Sequence, residues 1–245
     1  MPIIYLSPST QEGNLYVTGG SEEYYMNLIA DAMVPYLRSN GIQYVRNTPD
    51  MTAGQAIRAS NAGNYDFHLA LHSNAAPESR YGQKRGVEVY YDPRSYWGKK
   101  AAEIIAKNLK LIYPLPDQVS AIPTRSLGEV DRTKAPAVLI EFAYHDNVDD
   151  ANWIINNVEK IASNVAYSLT EYFGIPFIQP APPRPGIVST QSTALNVRSR
   201  PSTSAAVIGR LYPGQQVTVW GEWEDWYVVE ADDLVGYAAS RYIRF

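Results

Sequence analysis

The stretch DFHLALHSNAA, residues 66–76, decides how the chain is read. Phe67, Leu69, Ala70 and Leu71 make a short apolar run that reads as a buried strand. The run ends on His72 and drops at once into the polar Ser73 and Asn74. A histidine at a strand end is either a hydrogen-bonded structural residue or a metal ligand, and a catalytic zinc takes three protein ligands. The chain has three histidines, His68, His72 and His145. His68 shares the strand parity of His72, but four residues of strand separate the two by about 13 Å. Both cannot reach one ion from a regular strand, so His68 belongs to the core or behind the ligand.

Around this strand, strand-like and helix-like patterns alternate. PIIYLS is a short apolar run. Ser21 then stands as N-cap of a helix with Glu22 and Glu23 in its first turn, an apolar stripe from Tyr25 to Leu37, and Asn40-Gly41 as its stop. Pro35 should bend that helix. IQYVRN, AGQAIRASNAG, GVEVYY, YWGKKAAEIIAKNLKLIY and APAVLIEFAY continue the alternation, and a long amphipathic helix ends at Gly174. The pattern predicts an α/β domain over residues 1–175, with helices on both faces of a central, mostly parallel or mixed sheet. Ligands of such sheets sit beyond the carboxyl ends of the strands, where His72 and Glu141 both fall.

Residues 176–186, PFIQPAPPRPG, hold five prolines and read as a semi-rigid spacer. Beyond it, residues 187–245 carry short β-type runs broken by Pro-Gly, Asp-Asp and Gly turns, the pattern of a small all-β barrel.

Composition narrows the function. Net charge is −4 with no run of Lys or Arg, which argues against nucleic acid as a partner. No cysteine is present, so disulfides, Cys-bound metal and a thiol nucleophile are excluded. No apolar run approaches the roughly 20 residues of a membrane span. The start, MPIIYLSPST, has neither a basic region nor a cleavage site, so no signal peptide is expected.

Glu141 follows five apolar residues, PAVLI, and an unpaired carboxylate there is costly. It is either the partner of a cation such as Arg58 or a general base in a cleft. Glu22 and Glu23 are favoured at a helix start by the dipole alone.

EYYMNLIADAMVPYLRSNGI, IRASNAGNYD, LHSNAA, GVEVYY and APAVLIEFAYHDN occur in this order, and together they resemble the motifs of zinc-dependent N-acetylmuramoyl-L-alanine amidases. Those enzymes cut peptidoglycan between the lactyl group of N-acetylmuramic acid and the first stem residue. The resemblance implies Zn2+ as cofactor, with Glu23 as the ligand from the first helix and His72 as the strand-end ligand. It makes Glu141 the catalytic carboxylate, which takes a proton from metal-bound water and returns it to the leaving amine. The sequence departs from the family at the loop after the first strand. SPSTQEGN stands in place of a DPGHGG-type motif, so Thr10 occupies the position of the first histidine ligand. We read His145, four residues past Glu141, as its replacement, giving Glu23, His72 and His145; an exposed loop histidine is the other reading.

ALNVRSRPSTSAAVIGRLYPGQQVTV, with WYVV and VGYAASRYI, resembles bacterial SH3 modules. Such modules dock on cell-wall peptide, and Trp220, Trp223, Trp226 and Tyr237 are the candidate groove aromatics, with Trp226 placed by its motif position in the core. The whole reads as a peptidoglycan amidase acting at the cell wall, cytoplasmic until lysis or non-classical release. Two rivals stay open: a non-catalytic wall-binding or regulatory protein on an amidase fold, and a metallopeptidase acting on another stem-peptide bond.

Overall fold

Strands and helices alternate along the first 173 residues: β1 (Ile3–Pro8), α1 (Glu22–Ser39), β2 (Gln43–Arg46), α2 (Ala53–Ala62), β3 (Phe67–Asn74), β4 (Val87–Tyr91), α3 (Tyr96–Leu109), β5 (Val119–Pro123), a single turn α4 (Gly128–Asp131), β6 (Ala137–Tyr144), α5 (Val148–Asn156) and α6 (Val158–Phe173). The computed structural model describes all 245 residues. They divide into two compact units, residues 3–33 with 44–172, and residues 1–2, 34–43 and 173–245.

The first unit is built on a six-stranded sheet in the order β2-β1-β3-β6-β4-β5. β1, β3 and β6 run parallel, β4 is antiparallel to β6, and β5 is parallel to β4, so the sheet is mixed. The central strands carry the core. Ile4, Leu6, Phe67, Leu69, Leu71, Val138 and Ile140 are fully buried, as expected of strands covered on both faces. β1 is followed in chain order by β2 on one side and β3 continues to the other, so the sheet reverses direction of growth between β1 and β3. In open α/β sheets such a reversal marks where ligands bind, beyond the carboxyl ends of the strands.

α1 begins as its sequence demands. The Ser21 hydroxyl accepts the Tyr24 amide at 3.2 Å, capping the first turn. The helix runs on through Pro35 to Ser39. A proline mid-helix leaves one carbonyl without its helical donor, and the chain tolerates this inside a helix of 18 residues.

One irregularity shapes the site. His72 pairs with Glu141, but two residues later Asn74 pairs with Tyr144, so β6 carries one extra residue. Ala143 absorbs it with φ at +61°, a left-handed conformation rare for a residue with a side chain. The bulge breaks the two-residue alternation of β6 between Glu141 and His145.

The second unit contains β7 (Arg184–Val188), β8 (Leu195–Arg198), β9 (Val207–Leu211), β10 (Gln216–Trp223), β11 (Trp226–Ala231), β12 (Leu234–Ala239) and β13 (Ile243–Arg244). They form an antiparallel sheet ordered β13-β7-β10-β11-β12-β8-β9 around Val197, Leu211, Val219, Val229 and Ala238. β7 starts inside the expected spacer, at Arg184. The chain before it is also held: the Asn40 side chain accepts from the Ile178 amide at 2.6 Å and donates to the Ile178 carbonyl at 3.0 Å. No helix of the chain is long and apolar enough to cross a membrane.

Candidate functional site

At the carboxyl ends of β1, β3 and β6, one imidazole is held by two carboxylates. His72 Nδ1 lies 2.8 Å from Glu22 Oε1, and His72 Nε2 lies 3.0 Å from Glu129 Oε2. β3 delivers the histidine, the first turn of α1 delivers Glu22, and α4 delivers Glu129. All three are buried. Burial works against the charged imidazole, but the hydrogen bonds to Glu129 and Glu22 raise the His72 pKa well above its usual value. Burial likewise disfavours the Glu129 anion, and the hydrogen bonds from His68 and His72 overcome it, holding this carboxyl below the ordinary range. Glu22 is lowered in the same way against its burial, by His72 and then by Asn14, whose side-chain amide donates to Glu22 Oε2 at 2.6 Å.

Glu141 stands beside this group as the register partner of His72 on the neighbouring strand. Register partners on parallel strands project to the same face of the sheet. Glu141 makes no ion pair with Arg58 or any other cation, and its Oε2 is buried without a hydrogen-bond partner. Burial pushes its carboxyl up to about 7, with help from the charges of Glu22, Glu88 and Glu129 and against the pull of His72. A carboxyl that exchanges its proton near neutrality suits general acid–base chemistry. Tyr16 covers the same corner: its ring stacks on His145 at 5.3 Å, and burial raises its phenol.

The structure brings His72 and Glu141 together as the sequence suggests, and adds Glu22 and Glu129. Glu23 makes its bond elsewhere, accepting the Asn27 side-chain amide at 3.1 Å. One residue of rotation at the helix start thus exchanges the expected Glu23 for Glu22 as the carboxylate against His72. His145 follows the bulge, and its Nδ1 approaches both the Ser73 carbonyl and the Ser73 hydroxyl at 3.0 Å. The carbonyl can only accept, so Nδ1 carries the proton and Nε2 is left as the bare nitrogen. It is the one ring nitrogen among the three histidines without a hydrogen bond, since His68 spends both of its own on Ser60 and Glu129. Glu129 escaped the sequence reading. It lies in SLGEVDR, a segment without apolar periodicity, and with Arg125 and Arg132 within one helical turn it looks like an ordinary solvated charge.

No three His, Asp or Glu side chains converge tightly enough to form a ready metal cluster. The donor chemistry still fits a divalent cation. An imidazole nitrogen and a carboxylate oxygen face each other at 2.8 Å, the far nitrogen of the same ring is taken by a second carboxylate, and an unpaired buried oxygen lies on the adjacent strand.

On the second unit, a groove of about 630 Å³ is lined by Ser189, Asn196, Arg198, Trp226, Arg241 and Tyr242, among others. Trp226 therefore reaches the groove while its other side packs on Val228 and Tyr237. Tyr237 is fully buried, and Trp220 packs against that same cluster with the Arg38 guanidinium 4.7 Å above its ring. Trp223 is part-exposed. Of the four expected groove aromatics, Trp226 is the one that lines this groove.

Comparison with known proteins agrees with this architecture. The profile of the N-acetylmuramoyl-L-alanine amidase family matches residues 8–171, and that of the bacterial SH3 domain matches residues 193–244. No curated protein matches the chain. Among solved structures, N-acetylmuramoyl-L-alanine amidase AmiC2 of Nostoc punctiforme is similar with a TM-score of 0.61 at 16% identity, over 71% of this chain and 97% of its own. The catalytic domain of the amidase CwlV from Bacillus (Paenibacillus) polymyxa var. colistinus gives 0.62 at 18%, over 72% and 100%. The CwlD amidase of Clostridioides difficile, solved with the GerS lipoprotein, gives 0.62 at 16%, over 71% and 99%. At these identities the likeness speaks for the fold, and the profile match, spanning more than half the chain, shows the rest: this chain belongs to the N-acetylmuramoyl-L-alanine amidase family and carries a bacterial SH3 domain at its C-terminal end.

Proposed function

We propose that the chain hydrolyses the amide bond between the lactyl group of N-acetylmuramic acid and the first L-alanine of the peptidoglycan stem. The observation that carries this reading is the pairing of His72 with Glu141 at the carboxyl end of the parallel strands, in a member of the amidase family. Glu141 takes the proton of the attacking water and passes it to the leaving amine. Its unpaired oxygen and its near-neutral carboxyl suit both halves of that transfer.

Zinc is the cofactor that the family implies. Glu22 and His72 would hold it, and the bare Nε2 of His145 is the remaining histidine donor. When bound, such an ion lowers the pKa of a water toward about 7 and polarises a carbonyl. Thr10 in place of the family's first histidine favours a second reading, a wall-binding protein without chemistry. Glu141, whose Oε2 is buried without a hydrogen-bond partner, speaks against it, because a site freed from catalysis gains nothing by keeping such a carboxyl. The SH3 domain holds the enzyme on its insoluble substrate, raising the local concentration of scissile bonds.

The test is product analysis on purified cell-wall sacculi supplied with zinc. Free lactyl ends on the sugar with new N-terminal L-alanine support the amidase. New stem-peptide amines without lactyl ends would make it a peptidase. No new ends of either kind, with sacculi still bound, would leave the binding protein.

A further inference from the structure

Both carboxylate oxygens of Glu129 are engaged. Its Oε1 accepts the Ser7 hydroxyl in a short hydrogen bond and meets His68 Nε2 at 3.2 Å, while its Oε2 meets His72 Nε2 at 3.0 Å. His68 is anchored behind it by Ser60 Oγ at 3.0 Å from Nδ1. The carboxylate is buried, and so are Ser7, His68 and Ser60. It is therefore fixed by two donors, Ser7 from β1 and His68 from β3, before it touches His72.

A histidine that gives one nitrogen to a cation must carry its proton on the other, and that N–H needs an acceptor in a fixed place. At His72 the two nitrogens face different carboxylates. Nδ1 faces Glu22, which reaches outward to Asn14 in the loop after β1. Nε2 faces Glu129, which is locked into the protein. Turning the ring by half a turn would place carbon atoms against both carboxylates, so the pair also fixes the ring's orientation.

We propose that Glu129 is a positioning residue of the site, holding Nε2–H of His72 so that Nδ1 is presented, beside Glu22, to a divalent cation. This rests on the metal reading given above, and it assigns the inner face of the ring to Glu129 and the outer face to the ion. A glutamine at position 129 lacks the charge, and one of its two terminal atoms is an N–H donor. It cannot accept from Ser7, His68 and His72 at once.

The experiment uses the full chain, zinc as the probe, and competition with a chromophoric chelator. Thermal unfolding without zinc reports the fold. Glu129→Gln is expected to lower zinc affinity by about 10–100-fold. In the zinc-loaded protein, the ring-nitrogen spectrum of His72 should change from a single form, protonated on Nε2, to a mixture. Thr52→Ala, which removes the side-chain cap of α2 and touches none of the residues that hold Glu129, serves as the structural control and should lose stability while keeping its affinity. Ser7→Ala removes one of the donors that lock Glu129 and should show a smaller loss of affinity; it decides the matter if Glu129→Gln does not fold. A folded Glu129→Gln, or a folded Ser7→Ala in its stead, with wild-type affinity and an unchanged His72 spectrum overturns the assignment alone. A wild-type chain that takes no zinc overturns it together with the metal reading.

Discussion

His72 and Glu141 sit opposite each other across the β3–β6 ladder, the last register pair before the bulge at Ala143. The pairing puts the carboxylate within the field of the imidazole without giving it a hydrogen bond, so its proton is not pinned by a partner. Replacing Glu141 by Gln keeps the shape and removes the base. Hydrolysis of sacculi should fall by about 10²–10⁴-fold, the usual worth of a positioned proton-transfer group. Binding to the same sacculi, measured by pelleting, should not change. Loss of binding together with activity would mean that Glu141 supports the fold rather than the reaction.

The same substitution has a pH signature in the metal-free chain. Burial pushes the Glu141 carboxyl up to about 7 in the folded chain, from the ordinary 4.5 of an unfolded glutamate. Below 4.5 it is neutral in both states and contributes nothing. Between the two values the unfolded chain is charged while the folded one is still neutral, and stability falls as pH rises. Above 7 the full penalty stands, roughly 3 kcal/mol at 1.36 kcal/mol per unit. Glu141→Gln should therefore unfold at a higher temperature than wild type at pH 8 and at nearly the same temperature at pH 4. Equal shifts at both pH values would remove this carboxyl as the cause.

Adjacent glutamates at the start of α1 offer a direct test of which one faces the site. Glu22→Gln removes the carboxylate against His72 and should weaken zinc binding about tenfold or more, whereas Glu23→Gln loses only a bond to Asn27 and should leave it unchanged. Isothermal titration of both variants reads this out. The reverse ranking would restore the motif spacing over the geometry.

How much of this was legible beforehand differs by residue. The buried strand carrying His72 was plain because Phe67, Leu69, Ala70 and Leu71 needed a core, although β3 runs two residues past His72, to Asn74. Glu141 was plain for the same reason on β6. The choice between Glu22 and Glu23 was not, since neighbouring residues at a helix start differ by about 100° in direction and both are favoured there by the dipole. His145 was read from its place at the carboxyl end of the strand that carries Glu141. The left-handed Ala143 that sets its direction there was not legible, with no glycine to announce the turn. Glu129 was invisible because its role depends on three partners far away in the chain, at Ser7, His68 and His72.

Asn40 gives a prediction within the second unit. Its side-chain amide pairs with both the N–H and the C=O of Ile178, and the Asn40 carbonyl itself lies 3.4 Å from the Tyr237 hydroxyl. Asn40→Ala leaves the Ile178 amide buried without a partner, while the Ile178 carbonyl keeps the Ser39 hydroxyl at 3.0 Å. The loss should be about 2 kcal/mol, since an orphaned buried polar group costs roughly 1–3 kcal/mol. Denaturant unfolding followed by tryptophan fluorescence would report it, because Trp220 packs beside Ile178. A change below the precision of the measurement would show that the chain before β7 is not held by Asn40.

The groove on the barrel can be separated from the catalytic site by its own variants. Trp226 supplies the large aromatic wall, and Arg241, exposed beside Tyr242, supplies a cation suited to the carboxylates of a stem peptide. Trp226 also packs on the cluster around Tyr237, so its removal tests stability and binding at once. Arg241 does not belong to that cluster. Arg241→Ala should therefore keep the unfolding temperature and lower affinity for sacculi, by about 1–2 kcal/mol if it is a buried anchor of the complex. Hydrolysis of a soluble muramoyl peptide, which needs no anchoring, should be unaffected. If Arg241→Ala and Trp226→Ala both bind sacculi as wild type does, the wall is recognised on another face of the barrel, and part-exposed Trp223 becomes the next residue to replace.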